Sequence, residues 1–185
     1  MDVIKAIHSR YSQGEVKPDP VPRVLIEKLL SAAVQAPNHY KVRPWRLVVI
    51  TGKGRERLGD VMAASLHEKH PDLTAEALDK TRALALRAPL LIALGVDKPA
   101  DARVLEIENI SAVSAACQNL LLAAHAEGLG AKWRTGEWVG DPLVKEFLGL
   151  ASDQLIVGFI YVGYPMFTPE GVERPSFQDR TTWLD

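Results

Sequence analysis

Four short segments mix polar side chains with aromatic or glycine residues beside apolar stretches. They are His8-Ser9-Arg10-Tyr11-Ser12, then Gln35-Ala36-Pro37-Asn38-His39 leading to Pro44-Trp45-Arg46, then Gln118-Asn119 running through three leucines to Gly128-Leu129-Gly130, and finally Trp133-Arg134-Thr135-Gly136. Taken singly, each has a plain structural reading: Arg10 as a solvated helix-end cation, Asn38 as a turn residue, Gly130 as a cap, Trp133 as a core aromatic. Their interest lies in what surrounds them, because the motifs of self-contained catalysis are missing. There is no GxxxxGK[ST] phosphate loop, no GxGxxG after a strand and no GxSxG nucleophile elbow. His67-Glu68-Lys69-His70 places two imidazoles three apart, without HExxH geometry and among charges that mark a solvated face. The lone Cys117 lies in an apolar stretch, where a thiol packs inertly instead of ionising. An enzyme built from this sequence needs a bound cofactor to carry the chemistry.

The elements that must position these segments follow from pattern and punctuation. Asp2 is a candidate N-cap for a first helix with Val3, Ile4 and Ile7 on one face. Residues 13–22 hold three prolines and read as a connector, and Pro22 opens a second helix that Pro37 and Asn38 close. Trp45–Thr51 reads as a buried strand, followed by helices over about 55–70 and 74–86. Pro89–Val96 is a second buried strand. A long helix over 103–127 carries charge only in its first turns, which places its later turns centrally. Gly128 and Gly130 are expected to end it in left-handed geometry. A short strand near 131–134, a helix near 141–149 and a strand at Leu155–Gly163 complete the core, and 165–185 reads as an extended arm. Strands and helices alternate irregularly, which favours an α+β fold, a mixed sheet with helices packed on it, over a doubly wound one.

Composition narrows the class. The 185 residues predict one domain over 1–185, and 47% hydrophobic with 24% charged residues suits a globular chain. The balance of 22 Lys+Arg against 23 Asp+Glu gives no support to a nucleic-acid or membrane-surface partner. One cysteine forms no internal disulfide, and no metal-ligand spacing occurs. The charged start lacks a signal-peptide core, and polar residues interrupt the 109–126 stretch, so a cytoplasmic protein is expected.

In this order, the four segments resemble the FMN-dependent nitroreductase family, most closely its compact single-domain NAD(P)H nitroreductases. Arg10-Tyr11-Ser12 is similar to the family's opening Arg-x-Ser, and Ala36-Pro37-Asn38 with Pro44-Trp45 to its Ala-Pro-Ser…Pro-Trp segment. Residues 118–130 resemble its Gln-Asn-Leu helix ending in Gly-Leu-Gly, and Ile156–Pro165 its last strand ending in Gly-Tyr-Pro. The resemblance implies an α-β-α sandwich, mixed central sheet with helices on both faces, and a homodimer with FMN sites at the subunit interface. It also implies cofactor contacts from Arg10, Tyr11 and Ser12, from Gln35 and His39 of the partner subunit, from Ala123, Ala124, His125, Ala126, Glu127 and Gly128, and from Trp133, Arg134 and Thr135. Arg10 would meet the FMN phosphate, with Arg180 or Arg134 as further candidates.

One departure stands out. Many members place Lys or Arg two residues after the motif serine, facing flavin N1 and O2, and here that residue is Gly14. Arg134 is the first candidate to compensate, Lys17 the second. The implied reaction is a ping-pong hydride transfer from NADH or NADPH through flavin N5 to a nitroaromatic, quinone or similar electron-poor acceptor, with no catalytic protein nucleophile and no metal. The alternatives are a specialised flavin enzyme of the same fold (dehalogenase, azoline oxidase or flavin-fragmenting type) and a non-catalytic flavin-binding protein.

Overall fold

The computed structural model describes residues 1–168 and 174–184. Six helices run over Val3–Ser9 (α1), Arg23–Ala33 (α2), Lys53–Lys69 (α3), Ala75–Leu84 (α4), Glu106–Ala126 (α5) and Pro142–Phe147 (α6). Four strands, Trp45–Thr51 (β1), Leu90–Val96 (β2), Gly130–Arg134 (β3) and Leu155–Gly163 (β4), form one sheet in the order β1-β2-β4-β3. Every pairing is antiparallel. The expected sandwich with helices on both faces is present; the expected mixed strand directions become antiparallel throughout these four strands.

The buried run of β2 explains the layering. Its alternate residues Leu90, Ile92, Leu94 and Val96 face one core, joined by Ile160 and Val162 and covered by α2 and α5. Leu91 and Ala93 face a second core with Phe159, Leu58, Met62, Val144 and Leu148, under α3 and α6. A strand buried on both faces reads as a continuous hydrophobic run, which is what 90–96 shows. The long helix α5 is central as expected, with Val113, Ala116, Cys117 and Leu120 fully buried. Burial pushes the Cys117 thiol up to about 12, so it is a packed, protonated group. Helix α5 begins at Glu106, later than the sequence suggests, because Asp101 turns residues 101–104 and the Glu108 carboxylate accepts the Leu105 N–H.

Two glycine expectations separate. Gly128 has φ +76° and ends α5 in the left-handed region, as expected. Gly130 instead opens β3, and a Cβ there would lie 2.6 Å from Gln13 Cγ. It is glycine because the 11–17 segment passes against it, not because it caps the helix. The arm expected over 165–185 has a short 3-10 turn at Gln178–Arg180, and 169–173 and 185 lie outside the described residues.

Candidate functional site

The end of α1 brings the first cations together. Asp2 caps the helix by accepting the Ile4 and Lys5 N–H groups, and Arg10 leaves it in extended backbone. From there the chain runs beside the sheet edge: Gln13 N–H donates to the Ala131 carbonyl at 2.9 Å, and Lys17 N–H to the Tyr164 carbonyl at 2.7 Å. Gln13 Nε2 also donates to the Phe167 carbonyl, tying the start of the arm to the same edge. Arg174, further along the arm, donates to the Arg10 carbonyl at 2.7 Å. Burial and the Arg174 charge both lower the Arg10 pKa. His125, on the last turn of α5, shares a 2.8 Å hydrogen bond with Ser9 Oγ and meets the Tyr11 ring edge-on at 6.1 Å. Burial, then the Arg10 charge, lowers its pKa and favours the neutral imidazole. No carboxylate within 4 Å pairs with Arg10 or Arg174 among the described residues. A partly buried Arg10 and an exposed Arg174, brought together without a carboxylate partner among the described residues, form a seat for an external anion.

The second group lies on β3 and the turn after it. Successive side chains alternate across a strand. Trp133 packs towards the α5 side, with Nε1 donating to the Val157 carbonyl at 3.2 Å over Gly158, where a side chain would collide with the indole. Lys132 and Arg134 take the opposite face. The Arg134 guanidinium carbon sits 5.4 Å from the centre of the Tyr161 ring, and its Nε is buried without a partner. A cleft of about 390 Å³ opens here, with Arg87, Arg134 and Tyr161 as its polar wall, Thr135 and Gly136 at its rim, and Met62, Trp138 and Phe159 beneath. Burial raises the Tyr161 pKa against the opposing influence of Arg134 and Arg87, so the phenol keeps its proton. Beside this wall lies Gly14. A Cβ on it would stand 3.3 Å from Lys132 Cδ, 3.6 Å from Lys132 Nζ and 3.7 Å from an Arg134 terminal nitrogen.

The remaining expected residues are dispersed within one chain. Gln35 shares a shallow groove with Lys28, Ser31, Ala123, Ala126 and Glu127, whose carboxylate is paired with Lys28 at 2.8 Å. Ala124 is fully buried in the core, and Gly128 is exposed at the helix end. His39 stands 3.7 Å from Glu108, in a loop where Tyr40, Lys41 and Arg43 all have positive φ. Non-glycine residues in that region are strained and cluster at functional loops. Ser12 is exposed beside Arg10.

Sequence reasoning missed Arg174 and Lys132. Arg174 sits in an arm with no periodicity, so nothing local marks it; only the fold returns it to Arg10. Lys132 was legible in principle, since it is two residues from Arg134 on a strand and must share its face. It, and not Lys17, accompanies Arg134 beside Gly14, and Lys17 is exposed. Arg180 lies in the exposed turn of the arm, and the arm residue that reaches Arg10 is Arg174.

The Nitroreductase family profile matches residues 7–164. The chain belongs to the nitroreductase family. Among relatives of this family member, "Putative NAD(P)H nitroreductase YfhC" of Bacillus subtilis is 33% identical over 179 residues, 95% of this chain and 91% of that protein. "Putative NAD(P)H nitroreductase YdjA" of Escherichia coli K12 is 32% identical over 166 residues, 89% of each. A solved nitroreductase-like family protein from Bacillus cereus superposes with a TM-score of 0.85 at 28% identity, covering 100% of this nitroreductase and 97% of that chain. A Desulfovibrio desulfuricans structure described as a putative nitroreductase in complex with FMN gives 0.76 at 26% identity, covering 100% and 98%.

Proposed function

We propose that this nitroreductase family member is an FMN-dependent NAD(P)H oxidoreductase acting on nitroaromatic, quinone or similar electron-poor acceptors. The observation that carries the reading is the arrangement of cations along one sheet edge. Arg10 and Arg174 converge without a carboxylate among the described residues, and further along, Arg134, whose buried Nε lacks a partner, lines a cleft floored by aromatic and aliphatic groups. That is the donor set a cofactor with a phosphate at one end and a flat ring system at the other requires.

When bound, FMN supplies a centre that takes a hydride from NADH or NADPH and passes it to the acceptor in a ping-pong exchange. The chain's own residues bind and orient. Arg10, Arg174 and Ser12 hold the phosphate end, and the Trp133-Arg134-Thr135 segment lines the ring end. Tyr11 and His125 pack edge-to-face beside this end, with His125 hydrogen-bonded to Ser9. Gln35 and His39 stand on other surfaces of the same chain and complete the site from the partner in a homodimer. The protein works in the cytoplasm as one domain, with its final residues as an arm.

The test is the purified protein itself. It should carry FMN released by acid, be reduced by NADH or NADPH in a stopped-flow experiment, and be reoxidised by an acceptor panel at a catalytic rate. Protein that cannot be loaded with FMN removes the reading. FMN that binds but is not reduced turns the protein into a flavin carrier.

A further inference from the structure

Gly14 is not required to be glycine by its backbone. Its φ lies outside the left-handed region where glycine is favoured, so an L side chain is conformationally allowed there. The space beside it is taken by Lys132, which reaches across from β3 and places its δ-carbon 3.3 Å and its ammonium 3.6 Å from where a Cβ would stand, so a side chain there would press on the lysine stem. Arg134 approaches the same point from two residues further along the same strand face, at 3.7 Å. Two cations therefore converge on one backbone position. Like charges so placed repel, and neither has an acidic partner within 4 Å among the described residues. Tyr161, the titratable group beneath them, keeps its proton and supplies no negative charge. An anion placed between them would relieve that repulsion.

We propose that Lys132, together with Arg134, is the charge that makes this protein prefer reduced FMN to oxidised FMN. The inference rests on the FMN reading above and deepens it. Accepting a hydride brings two electrons and one proton to the flavin ring, so FMN reduced without a further proton carries one added negative charge, concentrated at its N1–O2 edge. A cation at that edge interacts weakly with the neutral oxidised ring and strongly with the anionic reduced ring. Lys132 therefore tunes the preference without touching the atom that receives the hydride.

The experiment compares FMN affinity in both redox states. Wild type, Lys132→Gln, Lys132→Arg and the double variant Lys132→Gln/Gly14→Lys are each titrated with oxidised FMN and, anaerobically, with dithionite-reduced FMN. Lys132→Gln is expected to lower the preference for the reduced form by about tenfold, the order expected for one lost charge in a partly exposed site. Lys132→Arg should keep the preference. The double variant should restore it, because it returns a lysine to the same space from the other side, with the wild-type lysine gone. Lys132→Met, which keeps the apolar stem, replaces the glutamine variant if that fails to fold. An unchanged preference in Lys132→Gln, or a lost preference that the double variant does not restore, overturns the inference while the FMN reading stands. Wild type that binds neither form overturns both.

Discussion

Arg174 donates to the backbone carbonyl of Arg10 across 164 positions of sequence, at 2.7 Å. The contact uses the carbonyl and leaves the Arg10 guanidinium uncommitted, so the arm brings a second positive charge beside the first without neutralising either. Holding two guanidiniums together costs free energy that an arriving phosphate returns as charge-assisted hydrogen bonds.

Arg10→Ala and Arg174→Ala should each weaken FMN binding by ~1.5–3 kcal/mol, the range for a hydrogen bond to a charged group. Hydride transfer in the fraction that stays loaded should change little, because the phosphate end is remote from the reacting ring. The double variant should lose less than the sum, since each arginine alone is relieved of the other's repulsion. FMN titration by fluorescence checks both statements, and strict additivity would show the two acting at separate places.

Arg134 lines the cleft together with Tyr161, its guanidinium carbon 5.4 Å from the ring centre, and its buried Nε lacks a partner. Arg134→Gln should lower the midpoint potential of bound flavin and slow its reduction by NAD(P)H, with a smaller effect on oxidised FMN affinity. If the side chain instead serves the phosphate, both redox forms weaken alike and the potential stays where it was. Spectroelectrochemical titration separates the two.

Asp141 concerns stability. Its carboxylate is buried, caps α6 at Val144, and accepts from Ser65 and from Lys69 on α3. Burial alone would raise its pKa, but the bonds from Lys69, Ser65 and Val144 outweigh that and hold it below the usual carboxylate value. A depressed folded-state pKa contributes stability above the unfolded value of about 3.9 and loses it as pH falls through the folded one. Asp141→Asn should therefore be destabilising at neutral pH by about 1–3 kcal/mol. In urea melts, the gap to wild type should narrow once the pH drops below about 4. A gap independent of pH would mean that packing, not ionisation, sets the cost.

Gln35 and His39 line grooves that include neither Arg10 nor Arg134. If the partner supplies them, the protein sediments as a dimer and FMN affinity falls on dilution below the dimer dissociation constant. Fully loaded monomer at sub-micromolar concentration would contradict this.

The element order was legible in the sequence because local physics decides it. The apolar runs at 90–96 and 155–163, the prolines of the 13–22 connector, the Asp2 cap and the left-handed Gly128 each act within a few residues, and each is found in the structure. The family was legible for a different reason: its motifs are contiguous runs, and they survive being read one segment at a time. Tertiary structure decided what depends on meeting across the chain. Strand direction follows from how the helices between strands return, and the four strands of the described residues pair antiparallel where mixed directions were expected. Arg174 met Arg10, and Lys132 met Gly14, because the fold returned an extended arm and an edge strand to the segment after α1. Charge acts through distance in space, and the sequence records only distance along the chain.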